Sequence, residues 1–153
     1  MEEAGRSKVV KGAVTNGVIN GAINGIIQYF FLKGKAPIAV SVDSITNNED
    51  TVLGAAVGLA ITLAMIGTVV TYFSIKENKV RFYPSAFWAV IRHGFFTFGV
   101  VASLSVLWQR YVGTVEVPLW TALIIIALIA GAVAGIINYL TIEKCTLKQR
   151  DEK

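Results

Sequence analysis

Residues 117–142 read Val-Pro-Leu-Trp-Thr-Ala-Leu-Ile-Ile-Ile-Ala-Leu-Ile-Ala-Gly-Ala-Val-Ala-Gly-Ile-Ile-Asn-Tyr-Leu-Thr-Ile, with no charged side chain among them. At 1.5 Å rise per residue such a stretch is long enough, as a helix, to cross a hydrocarbon core of roughly 30 Å. Three more stretches share its character: about 9–32, about 51–75 and about 85–111. The second is also free of charge, the third holds Arg92 and His93, and the first is interrupted by Asn16, Asn20, Asn24 and Gln28. The links between them are short, so consecutive helices are expected to run antiparallel. The expected fold is therefore all-α: one integral membrane domain over residues 1–153, its four transmembrane helices forming an up-down-up-down bundle.

Composition agrees. Of 153 residues, 54% are hydrophobic and 16% charged, against about 25% charged in soluble domains. Mean hydropathy is +0.61. A net charge of +4 spread along the chain is too small to mark a nucleic-acid-binding face. One cysteine excludes a disulfide framework and any cysteine cluster for a metal. Trp88, Trp108 and Trp120 lie near span ends, where amphipathic rings favour the headgroup level.

Basic residues set the expected orientation. With four spans, both termini and the middle link share a side. That side carries Arg6, Lys8, Lys11, Lys76, Lys79, Arg81, Lys144, Lys148, Arg150 and Lys153, against Lys33, Lys35 and Arg110 opposite. Basic residues stay inside, so both termini are expected in the cytoplasm and the protein in the inner (cell) membrane. The first apolar run is long and broken by amides, unlike the short core of a cleavable signal, and it is expected to be retained.

Within the first span, residues 16–28 form a four-residue repeat: Asn-Gly-Val-Ile, Asn-Gly-Ala-Ile, Asn-Gly-Ile-Ile, Gln. Residues four apart lie on one side of a helix. The amides Asn16, Asn20, Asn24 and Gln28 thus make one stripe, and Gly17, Gly21 and Gly25 make the row beside it. Hydrocarbon offers amides no partner, so this face turns inward, and the glycines admit a close neighbour. Matching small-residue rows occur at Gly54 and Gly58, at Ala56, Ala60, Ala64 and Thr68, and at Ala127, Gly131 and Gly135 leading to Asn138. The amides have two readings: bonds across helices, or the lining of a solute path.

In the third span His93 and Thr97, four apart, share a side, while Arg92 is turned about 100° from His93. His93 is read either as a packed neutral ring or as a titrating group at a cytoplasmic mouth, and Arg92 as snorkelling to the interface. No Asp or Glu lies in a span, so no carboxylate relay is visible. The single histidine cannot build a multi-histidine metal site, and Ser103 and Ser105 lie too far along the same helix to pair with it. Neither enzyme activity, cofactor nor metal is expected. In the loop after the first span, Asp43, Glu49 and Asp50 do not have calcium-loop spacing, and Asn48, Glu49 or Asp50 is expected to cap the second span. Cys145 is read as a plain thiol, with palmitoylation as the alternative.

The leading functional expectation is a small channel or transporter-like protein passing a small polar or ionic solute, with the pore between protomers of an oligomer. The alternative is a structural or accessory subunit that binds another membrane protein through its polar, small-residue helix faces.

Overall fold

The computed structural model describes residues 2–35, 37–42, 50–76 and 79–146. Four long helices carry the fold: α1 (Glu2–Leu32), α2 (Val52–Ser74), α3 (Phe87–Tyr111) and α4 (Leu119–Cys145). A short wide turn, Phe82–Ala86, leads into α3 and is kinked at Tyr83. The last three helices, with α3 counted from Phe82, are long and apolar enough to cross a membrane. The first is the longest, at 31 residues, but its amides keep it less apolar than the others.

Two three-residue strands, β1 (Ile38–Val40) and β2 (Val115–Val117), pair antiparallel with Ile38 opposite Val117 and Val40 opposite Val115. The links expected to be simple loops are thus tied together. The α1–α2 and α3–α4 links therefore lie at the same end of the molecule. At the other end the backbone N–H of Val80, in the α2–α3 link, donates to the Cys145 carbonyl at the end of α4 (2.9 Å). Both ties agree with helices that alternate in direction.

Neighbour relations differ from the expected bundle. α1 packs along α4, α4 packs on α2, and α2 packs on α3, whereas α3 barely touches α4. The order in space is α1, α4, α2, α3: an open row in which α1 and α2, consecutive in sequence, flank α4. Short links fix direction, but side-chain fit decides which helices meet. Here the glycine row of α1 finds its match on α4.

The contacts also repeat. Each half of the chain is a helix, a glycine in the left-handed region, a strand and a second helix. Gly34 (φ +85°) follows α1 and Gly113 (φ +82°) follows α3, each at the position where a helix ends by turning left-handed. The outer helix of each half packs on the inner helix of the other, and the inner helices α2 and α4 pack side by side. Burial keeps the same intervals: Ala13, Gly17, Gly21, Asn24 and Leu32 in one outer segment, Ala86, Val90, Gly94, Thr97 and Ser105 in the other. The inner helices do likewise, with Val52, Leu53, Ala56, Ala60, Ala64 and Thr71 on α2 and Ala122, Leu123, Ile126, Ala130, Ala134 and Thr141 on α4. Each half supplies one outer and one inner helix to a common centre.

The cap of α2 is Thr51. Its hydroxyl accepts from the Gly54 N–H (3.2 Å) and donates to the Ser41 carbonyl (2.6 Å). Asp50, one of the expected caps, instead pairs with Lys35. Threonine at this position serves both helix and loop, and Asp50 serves the loop alone. Asp43, Asn48 and Glu49, and the basic tail residues Lys148, Arg150 and Lys153, lie outside the described residues.

Candidate functional site

The tightest helix contact is the α1–α4 seam. A methyl carbon built on Gly17 would stand 2.7 Å from the Gly131 carbonyl oxygen, and one on Gly21 would stand 2.8 Å from that of Ala127. From the other side, carbons on Gly131 and Gly135 would meet the Gly17 and Ala13 carbonyl oxygens at 3.0 and 3.1 Å. These are backbone atoms, which cannot move aside as a side chain does. Glycine is what lets the two backbones meet. Gly25 sits against the Ala127 methyl (3.3 Å from a built carbon). The expected packing role thus falls to Gly17, Gly21, Gly25, Gly131 and Gly135. It does not fall to Gly58, which is exposed with nothing near it, and Gly54 is half-buried in the first turn of α2. The alanine row of α2 does this work instead, with Ala60 and Ala64 packed against Val133 and Ile137.

Among the described residues each of the three seams carries one side-chain hydrogen bond between helices. Between α2 and α3, His93 Nδ1 lies 3.0 Å from Thr68 Oγ1. Between α2 and α4, Asn138 Nδ2 donates to Thr71 Oγ1 at 3.0 Å. Between α1 and α4, Asn16 Nδ2 donates to the Ala134 carbonyl at 3.4 Å. All three lie towards the end at which α2 and α4 finish, so this half of the molecule holds a polar belt.

The His93 bond fixes its tautomer. The single hydroxyl hydrogen of Thr68 is donated to the Ala64 carbonyl (2.7 Å), so Thr68 Oγ1 accepts from His93 Nδ1–H. The lone pair is then on Nε2, which is buried and has no partner. His93 is 3% exposed and Thr97 7%, so both share the inward side as expected, while Arg92 is exposed.

The other amides behave differently from a bridge. Asn20 Nδ2 donates to the Asn16 carbonyl and to Asn16 Oδ1, both at 2.9 Å, and Asn24 Nδ2 donates to the Asn20 carbonyl at 2.8 Å. The ladder is wired along its own helix, and only Asn16 crosses a seam. Asn24 is buried, while Asn16, Asn20 and Gln28 are half-buried. By the repeated intervals, Asn20 and Asn24 hold the positions in α1 that His93 and Thr97 hold in α3, and Asn138 holds in α4 the position of Thr68 in α2. Sequence reasoning singled out five of these six. Thr68 entered only as one of a row of small residues, because a threonine between alanines reads as packing.

Cys145 is a buried free thiol. Among the described residues no group of three histidine, cysteine or acidic side chains is placed to hold a metal. Compared with known protein families, curated proteins and solved structures, the chain shows no match in any of the three.

Proposed function

We propose that the protein is a four-span membrane protein of channel or transporter type, working as an oligomer on a small polar or ionic solute. The observation that carries this reading is the surplus of polar groups. Helix packing together with one hydrogen bond per seam, worth roughly 0.6 to 2 kcal/mol each, accounts for the contacts between the four helices. Asn20, Asn24 and Gln28 come in addition, as does the free Nε2 of His93. Buried polar groups beyond those needed for packing are the usual mark of a solute route. Asn20 spends two N–H bonds and Asn24 one within α1, and neither bonds to a neighbouring helix, so their role is to present a polar wall rather than to clasp a neighbour. In this reading α1 is the fourth span, its amide side facing the interior. The ten-to-three basic bias puts both termini in the cytoplasm of an inner-membrane protein.

The test is Asn20→Leu with Asn24→Leu in reconstituted vesicles. Uptake of glycerol and urea by osmotic swelling, and of potassium by a fluorescent indicator, should fall at least tenfold for whichever probe the wild type passes. Thermal stability should change by less than about 1 kcal/mol, since no cross-helix bond is lost. Wild-type vesicles that pass none of the three probes would favour the second reading, an accessory subunit. The small-residue faces expected to bind such a partner are taken up in the α1–α4 seam, and the surface left for one is aromatic: Phe30 and Phe31 on α1 and Phe95 and Phe96 on α3. That alternative predicts co-purification with a membrane partner, lost on substituting those rings.

A further inference from the structure

On the side of the α1–α4 seam away from the amides runs an apolar groove of about 800 Å³. Its walls are Val14 and Val18 on α1 and Leu128 and Ile136 on α4, over a floor that includes Gly17 and Gly131. The groove exists because this seam is built of small residues. At the matching positions on the other seam, Ile61 and Met65 stand where α4 has Gly131 and Gly135, and Met65 fills the space beside Gly94. On α1 the lining runs from Val10 to Ala22, about 18 Å of helix. On α4 it runs from Ile124 to Leu140, about 24 Å. That is longer than one leaflet of a core of roughly 30 Å and shorter than the whole core, the reach of an acyl chain rather than of a spanning helix.

One end of the groove is basic. Lys11 continues the row of Val14, Val18 and Ala22 at helical spacing, and Arg6 and Lys8 lie in the two turns before it. All three are exposed. Glu143, also exposed, is the acid on the α4 side of this mouth, and Tyr139 lines the wall beneath it. Among the described residues none of these three cations is in an ion pair. A second copy of the chain docked symmetrically here would bring two basic clusters together, because a two-fold interface apposes the same patch.

We propose that the α1–α4 groove is a binding site for an anionic phospholipid of the cytoplasmic leaflet. One acyl chain lies along Gly17 and Gly131, and the phosphate meets Lys11 with Lys8 and Arg6. The proposal rests on α1 lying in the bilayer with its N-terminus cytoplasmic, but not on any solute path.

The test uses full-length protein in phosphatidylcholine vesicles, with chain-labelled phosphatidylglycerol or phosphatidylcholine as spin probes and the protein-immobilised fraction as readout. Wild type should prefer phosphatidylglycerol at least fivefold. Lys11→Gln should reduce that preference by about fivefold, the worth of one cation near an anionic surface. Ala132→Trp, and independently Ala22→Trp, should fill the groove and abolish the preference while leaving thermal stability unchanged, since both alanines are exposed. Inorganic phosphate at millimolar concentration should not displace the probe. Equal affinity for the two lipids, an unchanged preference in Lys11→Gln, displacement by phosphate alone, or a dimer cross-linked through Ala132→Cys would overturn the proposal. If the protein fails to float with the vesicles, the membrane reading falls with it. Flotation without preference overturns the groove alone.

Discussion

The α1–α4 seam and the α2–α3 seam occupy matching places in the two halves of the molecule and are held by different physics. The first is held by backbone proximity, since glycine carries no side chain and two helices close until carbonyl oxygens set the limit. The second is held by side chains: Met65 lies against Gly94, His93 bonds to Thr68, and Tyr72 and Ala89 share an apolar cluster with Cys145. A glycine seam is intolerant of volume and, the Asn16 bond to the Ala134 carbonyl aside, indifferent to polarity. A histidine–threonine seam is the reverse, because every buried polar atom in it needs its partner.

That contrast can be broken most sharply at Gly17. A valine there must push Gly131 away, and overpacking of this kind costs about 3 kcal/mol or more when the obstacle is backbone. Gly17→Val together with Gly21→Val should separate α1 from α4, seen as a large drop in melting temperature in detergent. A double variant as stable as wild type would show that the seam is not what holds α1.

The next effect belongs to the other seam and is asymmetric. Thr68→Val strands the His93 N–H in an apolar setting and should cost about 1 to 3 kcal/mol. His93→Leu removes both the bond and the unpartnered Nε2, leaves Thr68 donating to Ala64, and should cost about 1 kcal/mol or less. Equal costs for the two changes would mean that the bond does not have the assigned direction.

How much of this could be read from residues alone follows from what each signal depends on. The helices were legible because apolar runs and their interruptions are local. The glycine row was legible because its period is that of the helix, and Gly17, Gly21, Gly131 and Gly135 meet as the pattern demanded. Gly58 misled for the same reason, since a small-residue row marks a permitted approach and says nothing about which helix arrives. The row order α1, α4, α2, α3 was not legible, because connection length fixes direction without choosing the partner. The repeat between halves was hidden as well. Asn20 matches His93 and Gly131 matches Ile61 in place but not in kind, so only the spacing of buried positions is shared. The β1–β2 tie pairs residues far apart in sequence through two three-residue strands, too short for alternation to declare. The amides were legible as a stripe, but their bonding along α1 depends on side-chain rotamers.

Between the two seams stands the Asn138–Thr71 bond, where α2 and α4 meet. A double-mutant cycle with Asn138→Leu and Thr71→Val should give a coupling near 0.6 kcal/mol, the common value for one hydrogen bond between membrane helices. A coupling above about 2 kcal/mol would make this bond the organiser of the centre rather than one crossing of three. The smallest effect is expected at Gly58, which has open space around it. Gly58→Ala should be neutral or stabilising by up to about 1 kcal/mol through helix propensity, whereas the same change at Gly17 destabilises.

The proposed solute path gives α1 a wet side and a lipid side, divided by the glycine seam. Single cysteines at Asn20 and Val18, in a Cys145→Ser background, test it directly with a membrane-impermeant thiol reagent applied to reconstituted protein. Asn20→Cys should react at a rate that rises with reagent access, and Val18→Cys, two residues away on the opposite flank, should remain unlabelled. Equal labelling of the two positions, or none at either, would contradict the account.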